Sequence, residues 1–214
     1  DKYVYVSVSK PFVNKIFLKY AELEEVGGID QIKHPIIRET LNLIEPNCSQ
    51  IEITSFADIP AGTGLGSSGS FTTALIQALN AHANRNISRE ELAELACYIE
   101  INLLKEPIGK QDQYIAAYGG VSCFTFKHDD SVDVNPLLLT KEVLFDLEDS
   151  ILLFFTGYSR SAGSILKDQK QKSEVNDREM IDNLHFVKKL GYDSKLALIN
   201  GDIELFGNKI GRAH

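Results

Sequence analysis

The sequence predicts an α+β protein, with strands and helices mixed but without the regular alternation of a doubly wound parallel sheet. Three observations carry this. Val4, Val6 and Val8 alternate with Tyr5 and Ser7, the period of a strand with one buried face. Ile36, Ile37, Leu41 and Ile44 recur at helical spacing. A glycine-rich stretch, Pro60 to Ser70, joins an apolar strand to an apolar helix pattern.

In chain order, strands are expected over residues 2–8 and 15–20, a helix over 34–44 and a strand over 50–56. After the glycines, helices are expected over 70–83 and 89–104. Ser88 and Glu91 have the spacing of a capping box at the start of the second. Gly119 and Gly120 break the chain, and residues 121–126 read as a strand. A short, wholly apolar strand is expected over 151–155, after a charged stretch at 141–150. That stretch is where a domain boundary is placed. Beyond it the chain reads as mostly helical, with one helix over 177–190 ended by Gly191 and another over 203–210.

The composition narrows the function classes. With 214 residues, 43% of them hydrophobic, the chain is long enough for a real core. A net charge of −8 argues against a nucleic-acid or membrane-surface binder, since neither partner welcomes more negative charge. No apolar run approaches the ~20 residues that span a bilayer, and residues 1–20 carry no signal-peptide pattern. Cys48, Cys97 and Cys123 are few, widely spaced and odd in number. They suit a reducing cytoplasm and argue against a disulfide framework or a zinc site. The five histidines show no ligand or triad spacing.

The glycine-rich stretch carries most of the chemistry. Gly62, Gly64, Gly66 and Gly69 let the backbone approach a ligand closely, and the helix that follows offers open N–H groups to an anion. Ser67 and Ser68 add hydroxyls for phosphate oxygens or a bound Mg²⁺. A flexible loop whose serine caps a helix is the simpler alternative, and four glycines with a serine pair count against it. Gly64, Gly66 and Gly69 also satisfy the dinucleotide fingerprint G-x-G-x-x-G. Its context fails, because a second helix follows where a strand ending in an acid is required. The Walker pattern fails as well, because no lysine follows Gly69. A phosphate cradle of a third kind is expected.

Two acids stand out. Glu100 has mostly apolar neighbours, so it lies either on a narrow solvent stripe or inward with a partner. Asp112 sits in a polar knot, Gly109-Lys110-Gln111-Asp112-Gln113-Tyr114, either as a helix N-cap or as a functional carboxylate. An anion cradle, a metal ligand and a carboxylate that aims a hydroxyl are the parts of a Mg²⁺-dependent phosphoryl transfer.

Pro60-Ala61-Gly62-Thr63-Gly64-Leu65-Gly66-Ser67-Ser68 resembles the second motif of the GHMP kinases, the superfamily of galactokinase, homoserine kinase, mevalonate kinase and phosphomevalonate kinase. Residues 60–71, 106–114 and 155–162 more narrowly resemble kinases of D-glycero-D-manno-heptose 7-phosphate, and residues 1–6 resemble that group's second strand. The resemblance implies a GHMP-kinase fold. It would comprise an N-terminal, ATP-binding domain like domain 2 of ribosomal protein S5 at 1–148, and the start of a ferredoxin-like domain at 149–214. The implied reaction is ATP-dependent, cytoplasmic phosphorylation of the anomeric hydroxyl of that sugar phosphate, serving carbohydrate metabolism for surface polysaccharide. Other sugars or small alcohols are the alternative acceptors. At matching positions, Pro60, Gly62, Thr63, Gly64, Leu65, Gly66, Ser67 and Ser68 would bind the ATP phosphates, Ser68 and Glu100 would hold Mg²⁺, and Asp112 would be catalytic. Lys110 or Arg160 could meet the substrate's own phosphate, although Arg160 reads equally well as a surface arginine. The superfamily's first motif would precede residue 1 and its third would follow residue 214. The chain is therefore expected to be a fragment, and a catalytically incompetent nucleotide-binding remnant is the reading from a different class.

Overall fold

The structure is a computed structural model that describes residues 2–155, 157, 163–175 and 177–211. It divides into two units, one built on Asp1–Gly119 and the other on Gly120–Tyr158 with Ser164–His214.

The first unit is a four-stranded sheet with helices on it. Strands β1 (Val4–Ser9), β2 (Ile16–Lys19), β3 (Leu23–Val26) and β4 (Ile51–Ala57) lie in the order β1-β4-β2-β3. β4 runs antiparallel to β1, with Ser55 opposite Val6, and parallel to β2, with Ile53 opposite Leu18. Parallel neighbours need a crossover, and α1 (Pro35–Ile44) lies within it. Proline at its first position and the His34 ring accepting from the Ile37 N–H fix where α1 begins. Ile16, Leu18, Ile51 and Ile53 occupy alternate strand positions. They are buried in one cluster with Ile37 and Leu41 of α1 and Leu75, Ile76 and Leu79 of α2 (Ser67–His82). Each such side chain contributes about 1.5–3 kcal/mol on burial, so this layer fixes where α2 lies on the sheet.

The expected capping box is present at α3 (Arg89–Cys97). The Ser88 N–H donates to Glu91 Oε2 at 2.9 Å, and the Glu91 N–H donates to Ser88 Oγ at 3.2 Å. The Ser88 N–H, and the Ser88 hydroxyl donating to the same Oε2 at 2.7 Å, hold the Glu91 carboxyl below its ordinary range. Three local expectations change. β3 was not foreseen, because its inward side chain is the buried Glu24, which accepts from Tyr20 Oη at 2.8 Å and from the Lys33 N–H at 2.8 Å. α2 starts at Ser67 rather than residue 70, because Gly66 takes the left-handed conformation (φ 68°, ψ 30°) and lets the next residue enter the helix. The helix expected over 89–104 is α-helical only to Cys97. It then widens into a π-turn, Tyr98–Leu103, with the Leu104 N–H on the Ile99 carbonyl at 3.0 Å.

The second unit pairs β5 (Ser122–Phe126) antiparallel with β6 (Val132–Pro136). Its helices include α5 (Lys141–Asp149), α6 (Gly163–Glu174), α7 (Arg178–Ile199) and α8 (Ile203–Ile210). In the first unit, α4 spans Gln111–Tyr118. The charged stretch at 141–150 is thus largely helix, capped by Thr140 accepting from the Val143 N–H. Residues 151–155 are not a strand. Their side chains are exposed, and among the described residues no strand pairs with them, so no ladder bonds hold the extended form. α7 begins as expected, with Asp177 accepting from the Met180 N–H at 2.9 Å, but it runs through Gly191 to Ile199. One interior glycine costs only about 1 kcal/mol relative to alanine, and burial of Leu190, Ala197 and Leu198 outweighs it. Among the described residues no helix is long and apolar enough to cross a membrane, and all three cysteines are free thiols.

Candidate active site

The site forms where β4 leaves the sheet. From Ala57 the chain turns through the glycine-rich loop, where Thr63 Oγ1 donates to the Pro60 carbonyl at 3.1 Å. Gly62, Gly64 and Gly66 all have positive φ, at 75°, 78° and 68°. A side chain at any of them would be strained, so the loop's path requires these glycines. The Ser70 N–H makes the first helical bond of α2, to the Gly66 carbonyl at 3.0 Å. The N–H groups of Ser67, Ser68 and Gly69 therefore precede the helical ladder and give this end its partial positive charge. Ser67 is half-buried and Ser68 exposed on that turn.

Asp112 packs against the same turn. A β-carbon on Gly66 would lie 3.2 Å from Asp112 Cγ, and one on Gly69 would lie 3.0 Å from the Asp112 Cβ and carbonyl carbon. Only a glycine at 69 allows α2 and α4 (Gln111–Tyr118) to approach this closely. The helix-cap reading of Asp112 does not hold, because Lys110 occupies the cap position and Asp112 lies inside the first turn of α4. Burial pushes its carboxyl above the ordinary 3.8. A half-buried, destabilised carboxylate beside a helix N-terminus is suited to accept a proton or a hydrogen bond from a hydroxyl placed there.

Glu100 is turned inward. It lies in the π-turn, 1% exposed, and accepts from Gln113 Nε2 at 3.0 Å. Its solvent-stripe reading is thereby excluded. Gln113 is 0% exposed, and its Oε1 has no hydrogen-bond partner among the described residues. The structure thus connects the loop helix to Asp112 by direct packing, and Glu100 to the residue next to Asp112 through one amide. Sequence reasoning passed over Gln113. The available signal was a glutamine directly ahead of Tyr114-Ile115-Ala116-Ala117, on the face that turns inward with Tyr114.

A second polar group ties α4 to α3. Glu94 accepts from Lys110 Nζ at 3.0 and 3.1 Å and from the hydroxyl of the buried Tyr114. Burial and that carboxylate push the Tyr114 hydroxyl's pKa up. Lys110, expected as a substrate cation, is therefore engaged by Glu94. Arg160 lies outside the described residues. Among the described residues no three His, Cys, Asp or Glu side chains gather as a metal site.

Residues 34–120, from the cap of α1 to the end of α4, match the family "GHMP kinases N terminal domain". Over 159 residues the chain is 30% identical to a D-glycero-alpha-D-manno-heptose 7-phosphate kinase of Campylobacter jejuni, covering 74% of this chain and 46% of that one. The chain thus spans about half the length of that relative. A crystal structure of a D-glycero-D-manno-heptose 1-phosphate kinase from Bacteriodes thetaiotaomicron superimposes with a TM-score of 0.81 at 26% identity, over 98% of this chain and 65% of that one. The fold alone is shared with L. major mevalonate kinase, at a TM-score of 0.67 and 14% identity, over 100% of this chain and 64% of that one. With the glycine loop, the α2 N-terminus and Asp112 all inside the matched segment, residues 34–120 of this chain are a GHMP-kinase N-terminal domain.

Proposed function

We propose that this chain is part of an ATP-dependent sugar kinase that transfers the γ-phosphoryl group to the anomeric hydroxyl of D-glycero-D-manno-heptose 7-phosphate. The observation that carries the reading is the Asp112 carboxylate packed against the first turn of α2. The open N–H groups of that turn and the loop from Pro60 through Gly62, Thr63, Gly64, Leu65 and Gly66 receive the ATP phosphates. Asp112 orients the sugar hydroxyl toward the γ-phosphorus and accepts its proton, so nucleophile and electrophile meet at one helix end. Ser68 and Glu100 would hold Mg²⁺, which when bound spreads the charge of the transferring group. The donor set fits this cation: Glu100 is contacted by a neutral amide, which leaves its charge uncompensated, and Mg²⁺ is commonly held by one or two protein groups with nucleotide phosphates.

The heptose assignment draws on the relatives named above, and Arg160 is the cation proposed to meet the substrate's 7-phosphate. The test is a coupled ADP-release assay on a polypeptide carrying this chain, with phosphorylated and free sugars. Heptose 7-phosphate is expected to be used at least ~10-fold better in kcat/KM than the free heptose, about 1.4 kcal/mol of transition-state stabilisation. Arg160→Ala should shrink that preference and leave the ATP KM nearly unchanged. A preference for galactose would overturn the acceptor, and ATP binding without turnover on any acceptor would favour a nucleotide-binding remnant.

A further inference from the structure

Gln113 links the three elements of the site. Its backbone nitrogen lies 3.0 Å from where a β-carbon would stand on Gly69, so it abuts the first turn of α2. It belongs to α4, directly beside Asp112. Its side chain crosses to the π-turn, where Nε2 meets Glu100 Oε1 at 3.0 Å. The other end of the amide, Oε1, is buried and has no partner among the described residues.

An amide with one end unsatisfied is a poor choice for packing alone, since an apolar side chain of similar size would fill the space without a stranded oxygen. What the amide supplies is a directed, uncharged donor. A lysine or arginine in its place would also fix the Glu100 carboxylate, but would neutralise it. A neutral donor aims the carboxylate and leaves its charge for a cation. π-turns are frequent at functional sites, and here the turn carries the carboxylate that Gln113 grips.

We propose that Gln113 is a positioning residue that sets the orientation of Glu100 for a divalent cation while leaving its charge free. This rests on the reading of Glu100 as a metal-holding carboxylate. The experiment measures Mn²⁺ affinity by electron paramagnetic resonance, with a non-hydrolysable ATP analogue bound to a polypeptide carrying this chain. Affinity for the analogue without metal is measured in parallel. Gln113→Met, which keeps the volume and loses the donor, is expected to weaken Mn²⁺ binding about tenfold, as residues supporting metal ligands do. Metal-free nucleotide affinity should stay within about twofold, a split that loosened packing would not give. Added to Glu100→Gln, Gln113→Met should cause no further loss, because its effect runs through Glu100. If Gln113→Met does not fold, Gln113→Asn, whose shorter amide cannot span the gap to Glu100, is read by the same criteria. Two results overturn the proposal and differ in what they overturn. If Glu100→Gln weakens Mn²⁺ binding and Gln113→Met does not, or does so additively, the positioning role fails alone. If Glu100→Gln leaves Mn²⁺ affinity unchanged, the metal reading of Glu100 fails and takes the role of Gln113 with it.

Discussion

Asp112 and Gly69 are in contact so close that no side chain fits between them: a β-carbon on Gly69 would stand 3.0 Å from the Asp112 Cβ. The contact presses α4 onto the first turn of α2 and so sets how far the carboxylate stands from the open N–H groups of that turn.

Gly69→Ala should therefore force α2 and α4 apart. The added methyl also meets the Asp112 carbonyl carbon and the Gln113 nitrogen at 3.0 Å, and backbone cannot swing aside as a flexible side chain can. The expected loss is ~1–3 kcal/mol, the usual range for overpacking. Gly191→Ala is the matched control: it lies inside α7 with nothing within 4 Å of its added carbon. It should stabilise by up to about 1 kcal/mol, the helix-propensity difference. Urea midpoints of the two variants read the contrast directly.

Asp112→Asn should lower kcat by at least ~10²-fold, the low end for a positioned base, with ATP binding retained. The same variant should melt no lower than the parent at neutral pH. Burial raises the folded pKa of Asp112 above its ordinary 3.8, so the ionised form is disfavoured in the fold and stability declines as pH rises through that range. Removing the ionisable group removes this loss. A structural carboxylate would show the opposite, a drop in melting temperature at pH 7. In the active protein, the acid limb of kcat/KM should fall at higher pH than for an unperturbed aspartate.

His34 gives a separate pH dependence. Burial lowers its pKa from the ordinary 6.5, against the opposing pull of Glu24 and Glu22, and its Nδ1 must stay unprotonated to accept from the Ile37 N–H. Its contribution is fully present above pH 6.5 and is lost as pH falls through the lower, folded value. His34→Asn keeps a capping acceptor without that proton. The parent should therefore lose stability relative to the variant as pH falls below 6.5. Parallel melting curves would reverse the assignment of His34 as a titrating cap.

Much of this was legible in the residue order, and the misses have physical causes. Alternating valines and the spacing of Ile36, Ile37, Leu41 and Ile44 reported their elements, because their burial is simple. The glycine loop was legible because only glycine tolerates the positive φ it requires. β3 was hidden because its buried residue is a glutamate satisfied by partners about ten residues ahead, which no period reveals. Residues 151–155 look like a strand, but a strand's bonds come from neighbours that local sequence does not supply. Asp112 was legible as a polar anomaly. That it is not a cap became clear only from Lys110 at the cap position and from Gly66 and Gly69 packed against Asp112. Gln113 left only a faint signal, a glutamine ahead of an apolar run, since an amide's role shows only when its partner's position is known.

The most direct test of the account is phosphorus NMR of ATP, Mg²⁺ and D-glycero-D-manno-heptose 7-phosphate with a polypeptide carrying this chain, followed in parallel for Asp112→Asn. The account predicts a new anomeric phosphate ester growing one-for-one as the γ-phosphate signal disappears, and almost none of it from the variant although ATP still binds. Ester formed by Asp112→Asn at close to the parent rate would contradict it, as would a parent that binds ATP and phosphorylates no sugar.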